Sequence, residues 1–267
     1  MTAEHWRSMA ERWSQIDVPM RPSAEDTAIF AAAISPDRPV RCLLLGLTPE
    51  LAGLSLPPGS IIVPTDFSEP MRSALCGLAE PLRTTAVIAD WRQMPYPDSC
   101  FDLVLGDGVY TVIGGAAPQQ ALSRSIRRVL RPGGQLIVRH FVRPENSGTP
   151  DETIGLLHAG HFATFQGFKM RYLMSMASPI TNCVEPRDCW EHWQAQHIDR
   201  RELAARLGFA ESAIDTIDGY RGSTEIYNFS TLEGIRNKLS EHFTEEWLVI
   251  PSYRLGESCP VMGLTPR

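Results

Sequence analysis

The order of apolar runs predicts an α/β protein: a doubly wound, mostly parallel seven-stranded sheet, with an N-terminal helical extension and an insertion between the fifth and sixth strands. Three observations carry this. Short apolar runs without polar alternation, at 40–45, 60–63, 85–89, 101–105 and 135–142, read as strands buried on both faces. Helical or turn segments separate them, which keeps each connection short and right-handed. Each run ends in a glycine, an acid or a histidine: Gly46, Asp66, Asp90, Gly106 with Asp107, and His140 near the fifth end.

The elements follow in order. Trp6, Met9, Trp13 and Ile16 fall at spacings of three and four, the stripe of an amphipathic helix over 4–16. Pro19 and Pro22 break it. Ser23 before Ala24, Glu25 and Asp26 is an N-cap with an acidic first turn, and Ser35, Pro36 and Asp37 end that second helix. Residues 50–54 form one helical turn. Ser68 caps a helix that holds Pro70 in its first turn, where a missing N–H is harmless. A helix over 117–130 carries Leu122, Ile126, Val129 and Leu130 inward and stops at Arg131, Pro132, Gly133 and Gly134. After Arg143 the alternation ends. Arg200 to Leu207 before Gly208 is a helix with a glycine C-cap. Ser230, Thr231, Leu232 and Glu233 form a capping box opening a helix to about Phe243. Strands at 247–250 and 259–264 close the sheet. The chain therefore parses as N-terminal helices (1–38), a ligand-binding half (39–143), an insertion (144–230), and a last helix with closing strands (231–267).

Composition narrows the function. A formal charge of -6 over 267 residues argues against a nucleic-acid substrate, which calls for a basic face. The polar start lacks the apolar core of a signal peptide, and no apolar run is long enough to span a membrane. Six scattered cysteines read as reduced thiols in a cytoplasmic protein. Cys183, Cys189, His192 and His197 lack the tight pairing of a zinc site, so no metal is expected. Nothing in the sequence fixes the oligomeric state.

Ligands of open α/β sheets bind beyond the strands' carboxyl ends. Asp66 follows Gly46 by about 20 residues, the spacing at which a carboxylate meets ribose hydroxyls. Asp90 stands where it would accept from an adenine amino group, and Trp91 offers a stacking face. The residues here also resemble a known family. The segment from Thr65 to Met71 is similar to the Asp-x-Ser-x-x-Met segment of class I methyltransferases, especially the ubiquinone-biosynthesis-like branch. Ala89 to Val104 resembles that branch's D-x-x-x-L-P-F-x-D-x-x-F-D-x-V stretch, and Val129 to Leu136 its V-L-K-P-G-G-x-L turn. The resemblance covers about 40–142 and implies the Rossmann-like methyltransferase fold, with S-adenosyl-L-methionine as cofactor. It puts Asp66 on the ribose, and Asp90 and Trp91 around the adenine. Phe67 and Met71 in the same segment, with Gly106 and Asp107 at the fourth tip, complete the expected contacts.

One departure concerns the glycine-rich loop. Only Gly46 keeps its place; Thr48 and Glu50 stand where the family has further glycines. Thr48 offers a hydroxyl, Glu50 a partner for the cofactor's amino group, and Arg21 a partner for its carboxylate. His140 is a candidate base, and Asp107 and Tyr110 candidate walls of an acceptor pocket. The insertion, rich in Phe162, Phe165, Phe168, Met170, Tyr172, Met174 and Met176, either covers a small, partly apolar acceptor or packs itself onto the sheet. The altered loop leaves open a non-catalytic or regulatory protein on this fold. A dehydrogenase using NAD would need G-x-G-x-x-G after the first strand, and that motif is absent.

Overall fold

A computed structural model describes residues 3–34 and 37–267. The expected helix stop at Ser35 and Pro36 lies outside the described residues. Seven strands form the main sheet: β1 (Arg41–Leu45), β2 (Ile61–Asp66), β3 (Val87–Ile88), β4 (Phe101–Asp107), β5 (Leu130–Arg139), β8 (Phe243–Val249) and β9 (Val261–Pro266). A two-stranded ribbon, β6 (Cys183–Val184) and β7 (Tyr227–Asn228), belongs to the long segment between β5 and β8. The main sheet runs β3-β2-β1-β4-β5-β9-β8. The first five are parallel, and β9 is antiparallel to both neighbours. The expected architecture is the observed one.

The period-two alternation of β1 sorts the core into two layers. Cys42 and Leu44 face Phe30, Leu51 and Leu75; Leu43 and Leu45 face Leu122, Ile126 and Val129. The helix Ala116–Val129 supplies the second set, in the stripe its sequence spacing gives. The first layer continues past the sheet into the helices of the insertion, through Phe165, Phe168 and Trp193. Most of the insertion's aromatics thus pack that segment's own core.

Pro64 lies inside β2, which the sequence reading had ended at Val63. The Ile61 N–H donates to Val40 and the Gly46 N–H to Thr65, so the odd-numbered residues of β2 face β1. The nitrogen of Pro64 therefore faces β3, whose ladder pairs only Thr65 and Asp66. A proline is tolerated where no ladder bond is required. Further boundaries differ: β5 runs Leu130–Arg139 in place of 135–142, taking in the expected stop at Arg131–Gly134, and the closing strands run Phe243–Val249 and Val261–Pro266. The first helix stops at Glu11 and yields to a 3₁₀ turn, Trp13–Gln15. The last helix is Leu232–Leu239, capped by Thr231 through the Gly234 N–H, so the Ser230 capping box does not form. Ser230 is turned to Asn228 instead, and Phe243 already opens β8.

The helix Ala24–Ala32 carries a full capping box. Ser23 Oγ accepts from the Asp26 N–H, and Asp26 accepts from the Ser23 N–H. Ser23→Ala should lower stability by about 1–2 kcal/mol. Urea unfolding should show a lower midpoint at an unchanged slope. A midpoint equal to wild type would show that the cap contributes nothing.

Candidate functional site

The carboxyl ends of β1 and β2 are tied at one atom. The Thr65 carbonyl accepts from the Gly46 N–H at 2.8 Å and from the Trp91 indole N–H. Gly46 stands at φ +99°, a conformation that disfavours any side chain. A Cβ there would lie 3.8 Å from Trp91, 3.9 Å from Thr48 Oγ1 and 4.0 Å from Asp66 Oδ2, which is ordinary contact. Backbone conformation, more than space, therefore keeps a glycine at this tip.

Asp66 is 8% exposed. Its Oδ1 accepts from the Ser68 N–H at 2.7 Å, while Ser68 Oγ caps the next helix through the Met71 N–H. Burial pushes the Asp66 carboxyl up to about 7, against the opposing pull of the Ser68 and Phe67 backbone N–H groups. Gly46, Thr48, Asp66, Met71, Trp91 and Asp107 line one wall of a cleft of about 130 Å³. The opposite wall comes from the N-terminal helix and turn (Trp6, Met9, Trp13) and from Met170, Tyr227 and Phe229. The first stripe was legible as a helix face; that it walls a cleft was not. Phe67 stands edge-on to Trp6 at 6.1 Å between ring centres, which joins the β2 loop to that helix.

Other expected residues are placed differently. Asp90 caps the turn Trp91–Gln93 and holds Arg92 in a bidentate pair at the surface; it is not among the cleft-lining residues. Gly106 is in β4, where a Cβ would come within 3.0 Å of Val109, so its smallness serves packing. His140 and Tyr110 lie in the second core layer, ring against ring at 5.8 Å, because His140 projects opposite to Arg139 along the strand. The Tyr110 hydroxyl pairs with Ser123 at 2.9 Å, and burial holds His140 down at about 3. Neither is brought into the cleft.

The charges near the glycine loop are mutually paired. Arg21 donates to Glu50 Oε1 through Nε at 2.8 Å and through Nη2, and its guanidinium lies 5.2 Å from the Trp13 ring centre. Glu50 Oε2 is buried without a partner. Asp107 is held by Arg139, with Nε to Oδ1 at 2.7 Å and Nη2 to Oδ2 at 3.1 Å. Arg139 is fully buried, and it also reaches Asp26 at 3.1 Å and the Tyr253 hydroxyl at 3.3 Å. Burial raises the Asp107 carboxyl and Arg139 opposes that rise. Sequence reasoning missed Arg139, although an arginine in a strand buried on both faces is itself a signal.

Residues 46–138 match the family described as methyltransferase domain. The chain is 31% identical over 182 residues to a demethylmenaquinone methyltransferase of Mycolicibacterium vanbaalenii, covering 66% of this chain and 69% of the relative. A solved Rhodobacter sphaeroides protein, described as putative Zn-dependent alcohol dehydrogenases, superposes with a TM-score of 0.68 at 15% identity, covering 99% of this chain and 98% of that one. The N-methyltransferase NodS of Bradyrhizobium japonicum, crystallised with S-adenosyl-L-homocysteine, gives 0.53 at 12% identity over 99% of both chains. At such identities the structural likeness is one of fold.

Two outcomes test this geometry. Asp107→Asn leaves the Arg139 guanidinium short of a buried countercharge, and should destabilise the protein by about 3–5 kcal/mol in urea unfolding. For Asp66, the native carboxyl holds its proton more tightly than the unfolded one, so its contribution to stability is present below the unfolded value and lost as pH rises through about 7. Asp66→Asn should therefore flatten the decline in stability between pH 4 and about 7. An unchanged slope would mean that the carboxyl ionises freely in the native state.

Proposed function

We infer, since this chain belongs to the class I S-adenosyl-L-methionine-dependent methyltransferases, that it moves a methyl group to a small, partly apolar acceptor held under the insertion. The observation that carries the placement is Asp66: a buried carboxylate in the cleft wall, beside Gly46, with one oxygen bonded to backbone and the other facing the glycine. A vicinal diol is the ligand such a group takes, because two hydroxyls donate to one carboxylate. Asp66 would hold the ribose. Trp91, fixed by its indole N–H, would lie against the adenine together with Met71. Asp90 is already committed to Arg92, so the adenine amino group is not assigned to it.

The methionine end meets the departures from the glycine loop. Glu50 and Arg21 are paired to each other near that end, Arg21 Nε and Nη2 on Glu50 and Nη1 on the Ile16 carbonyl, so that Glu50 alone keeps an oxygen without a partner. The unpartnered Glu50 Oε2 is an acceptor for the ammonium, but Arg21 and Glu50 are not among the cleft-lining residues; Thr48, which is, adds a hydroxyl. When bound, S-adenosyl-L-methionine supplies an activated methyl on a sulfonium. The chain supplies placement: it aligns the acceptor with that methyl and excludes water behind the N-terminal helix. Neither His140 nor Tyr110 is placed to act as a base.

The Mycolicibacterium relative's name points to a ring acceptor, and the apolar wall of Trp6, Trp13 and Phe229 supports that class. A net charge of -6 supports an acceptor other than nucleic acid. Six free cysteines support a cytoplasmic location, and no described helix is long and apolar enough to cross a membrane.

Binding of S-adenosyl-L-homocysteine, followed by calorimetry, tests the reading. A diol favours ionised Asp66, so affinity should rise with pH through about 7. Asp66→Asn should lose roughly ten- to hundredfold in affinity, as expected for charge-assisted hydrogen bonds, and also lose the pH dependence. Equal affinity in the folded variant would remove the ribose from Asp66.

A further inference from the structure

The wall opposite the strand tips is mostly apolar. Tyr227, at the start of β7, lines the cleft, and its hydroxyl lies 2.8 Å from His5 Nε2 on the N-terminal helix Ala3–Glu11. His5 is buried among aromatic rings, edge-on to Trp6 at 5.2 Å and to Tyr227 at 5.8 Å, and parallel to Tyr220 at 6.3 Å. His5 Nδ1, Trp6 Nε1 and Trp13 Nε1 are all buried without a hydrogen-bond partner. Natural proteins leave few such groups unsatisfied. Trp6 and Trp13 line the same cleft as Tyr227.

We propose that Tyr227 is the residue that selects the methyl acceptor, by pairing with a hydroxyl carried on a planar aromatic ring, and that His5 is the positioning residue that aims it. This rests on the methyltransferase reading of the cleft. A ring fits the chemistry of the wall, because Trp6, Trp13 and Phe229 offer faces and edges for stacking. A hydroxyl fits Tyr227 because it both donates and accepts. It satisfies the tyrosine whichever way the proton lies between Tyr227 and His5, whereas an ether only accepts. The groups facing His5 keep that arrangement neutral. Burial lowers its pKa to about 4, and Lys169, whose Nζ lies 4.7 Å from the Tyr220 ring centre, pushes the same way. Burial and the nearby Glu225 both raise the Tyr227 hydroxyl. The pair therefore serves as a hydrogen-bonding unit across the neutral range.

The test uses two probes, 1-naphthol and 1-methoxynaphthalene, titrated calorimetrically into the full chain saturated with S-adenosyl-L-homocysteine. Wild type should prefer the naphthol by about tenfold, the value of one well-placed hydrogen bond. Tyr227→Phe should abolish that preference while leaving the methoxy probe's affinity unchanged. His5→Phe, which keeps the ring packing, should reduce the preference, and His5→Gln should restore part of it. A merely structural role for His5 would weaken both probes alike. S-adenosyl-L-homocysteine binding, measured on each variant, reports that the fold is intact. The proposal is overturned if wild type shows no preference, if Tyr227→Phe retains it, or if neither probe binds while S-adenosyl-L-homocysteine does. Failure of wild type to bind S-adenosyl-L-homocysteine would instead overturn the reading of the cleft, and this inference with it.

Discussion

A single carbonyl oxygen, that of Thr65, fixes the relation between the tips of β1 and β2. It receives the Gly46 N–H across the ladder and the Trp91 indole N–H from the segment after β3. Parallel strands end in register only if something holds their last residues, because ladder bonds stop where the chains diverge. Here the hold is made by a glycine whose φ turns the chain away and an indole that closes the far side. Asp66, the next residue in β2, is carried into the cleft wall as a consequence. Its burial follows from strand geometry, and that burial raises the carboxyl's pKa to about 7.

The charged residues around the cleft fall into two closed sets. Arg139 joins Asp107 at the end of β4 to Asp26 in the helix before β1, with all three side chains nearly or fully removed from water. An ion set buried that deeply contributes little net stability against an apolar replacement, but it is intolerant of losing one member. Its effect is to lock the helix Ala24–Ala32 to two strand tips. The pair of Arg21 and Glu50 is looser, partly exposed, with one carboxylate oxygen left over. The two differ in burial and in satisfied valence, though both consist of arginine and acid at strand ends.

That distinction explains what the sequence made legible. The sheet was readable because β1, β2, β4 and β5 each hold a short apolar run, Cys42–Leu45, Ile61–Val63, Leu103–Leu105 and Leu136–Val138. Gly46, Asp66 and Trp91 were readable because each lies within three residues of the end of such a run. Asp90 has the same position in its run, but β3 is only two residues long, and Arg92 at i+2 pairs with the acid at the surface. His140 misled through period two, since one step along the strand separates the layer of Arg139 from that of Tyr110. Tyr227 and His5 were beyond reach because their meeting depends on how the insertion folds over the N-terminal helix, with 222 residues between them.

The two halves of the cleft consequently obey different physics. The half built from strand tips is polar, and its fixed geometry comes from a ladder that every parallel sheet of this kind must form. The half built from the N-terminal helix and the insertion is held by ring packing, such as Trp6 on Phe67 and His5 on Tyr220. Ring contacts are nondirectional enough to be exchanged for one another without disturbing the sheet. Hydrogen-bonded strand tips are not. The ring contacts thus lie outside the hydrogen-bonded elements that define the fold. The departures Thr48 and Glu50 lie at the short helix Pro49–Ala52, Thr48 as its N-cap and Glu50 within it. There a change in the loop is absorbed by a new partner, Arg21 from the N-terminal segment, and the sheet is left as it was.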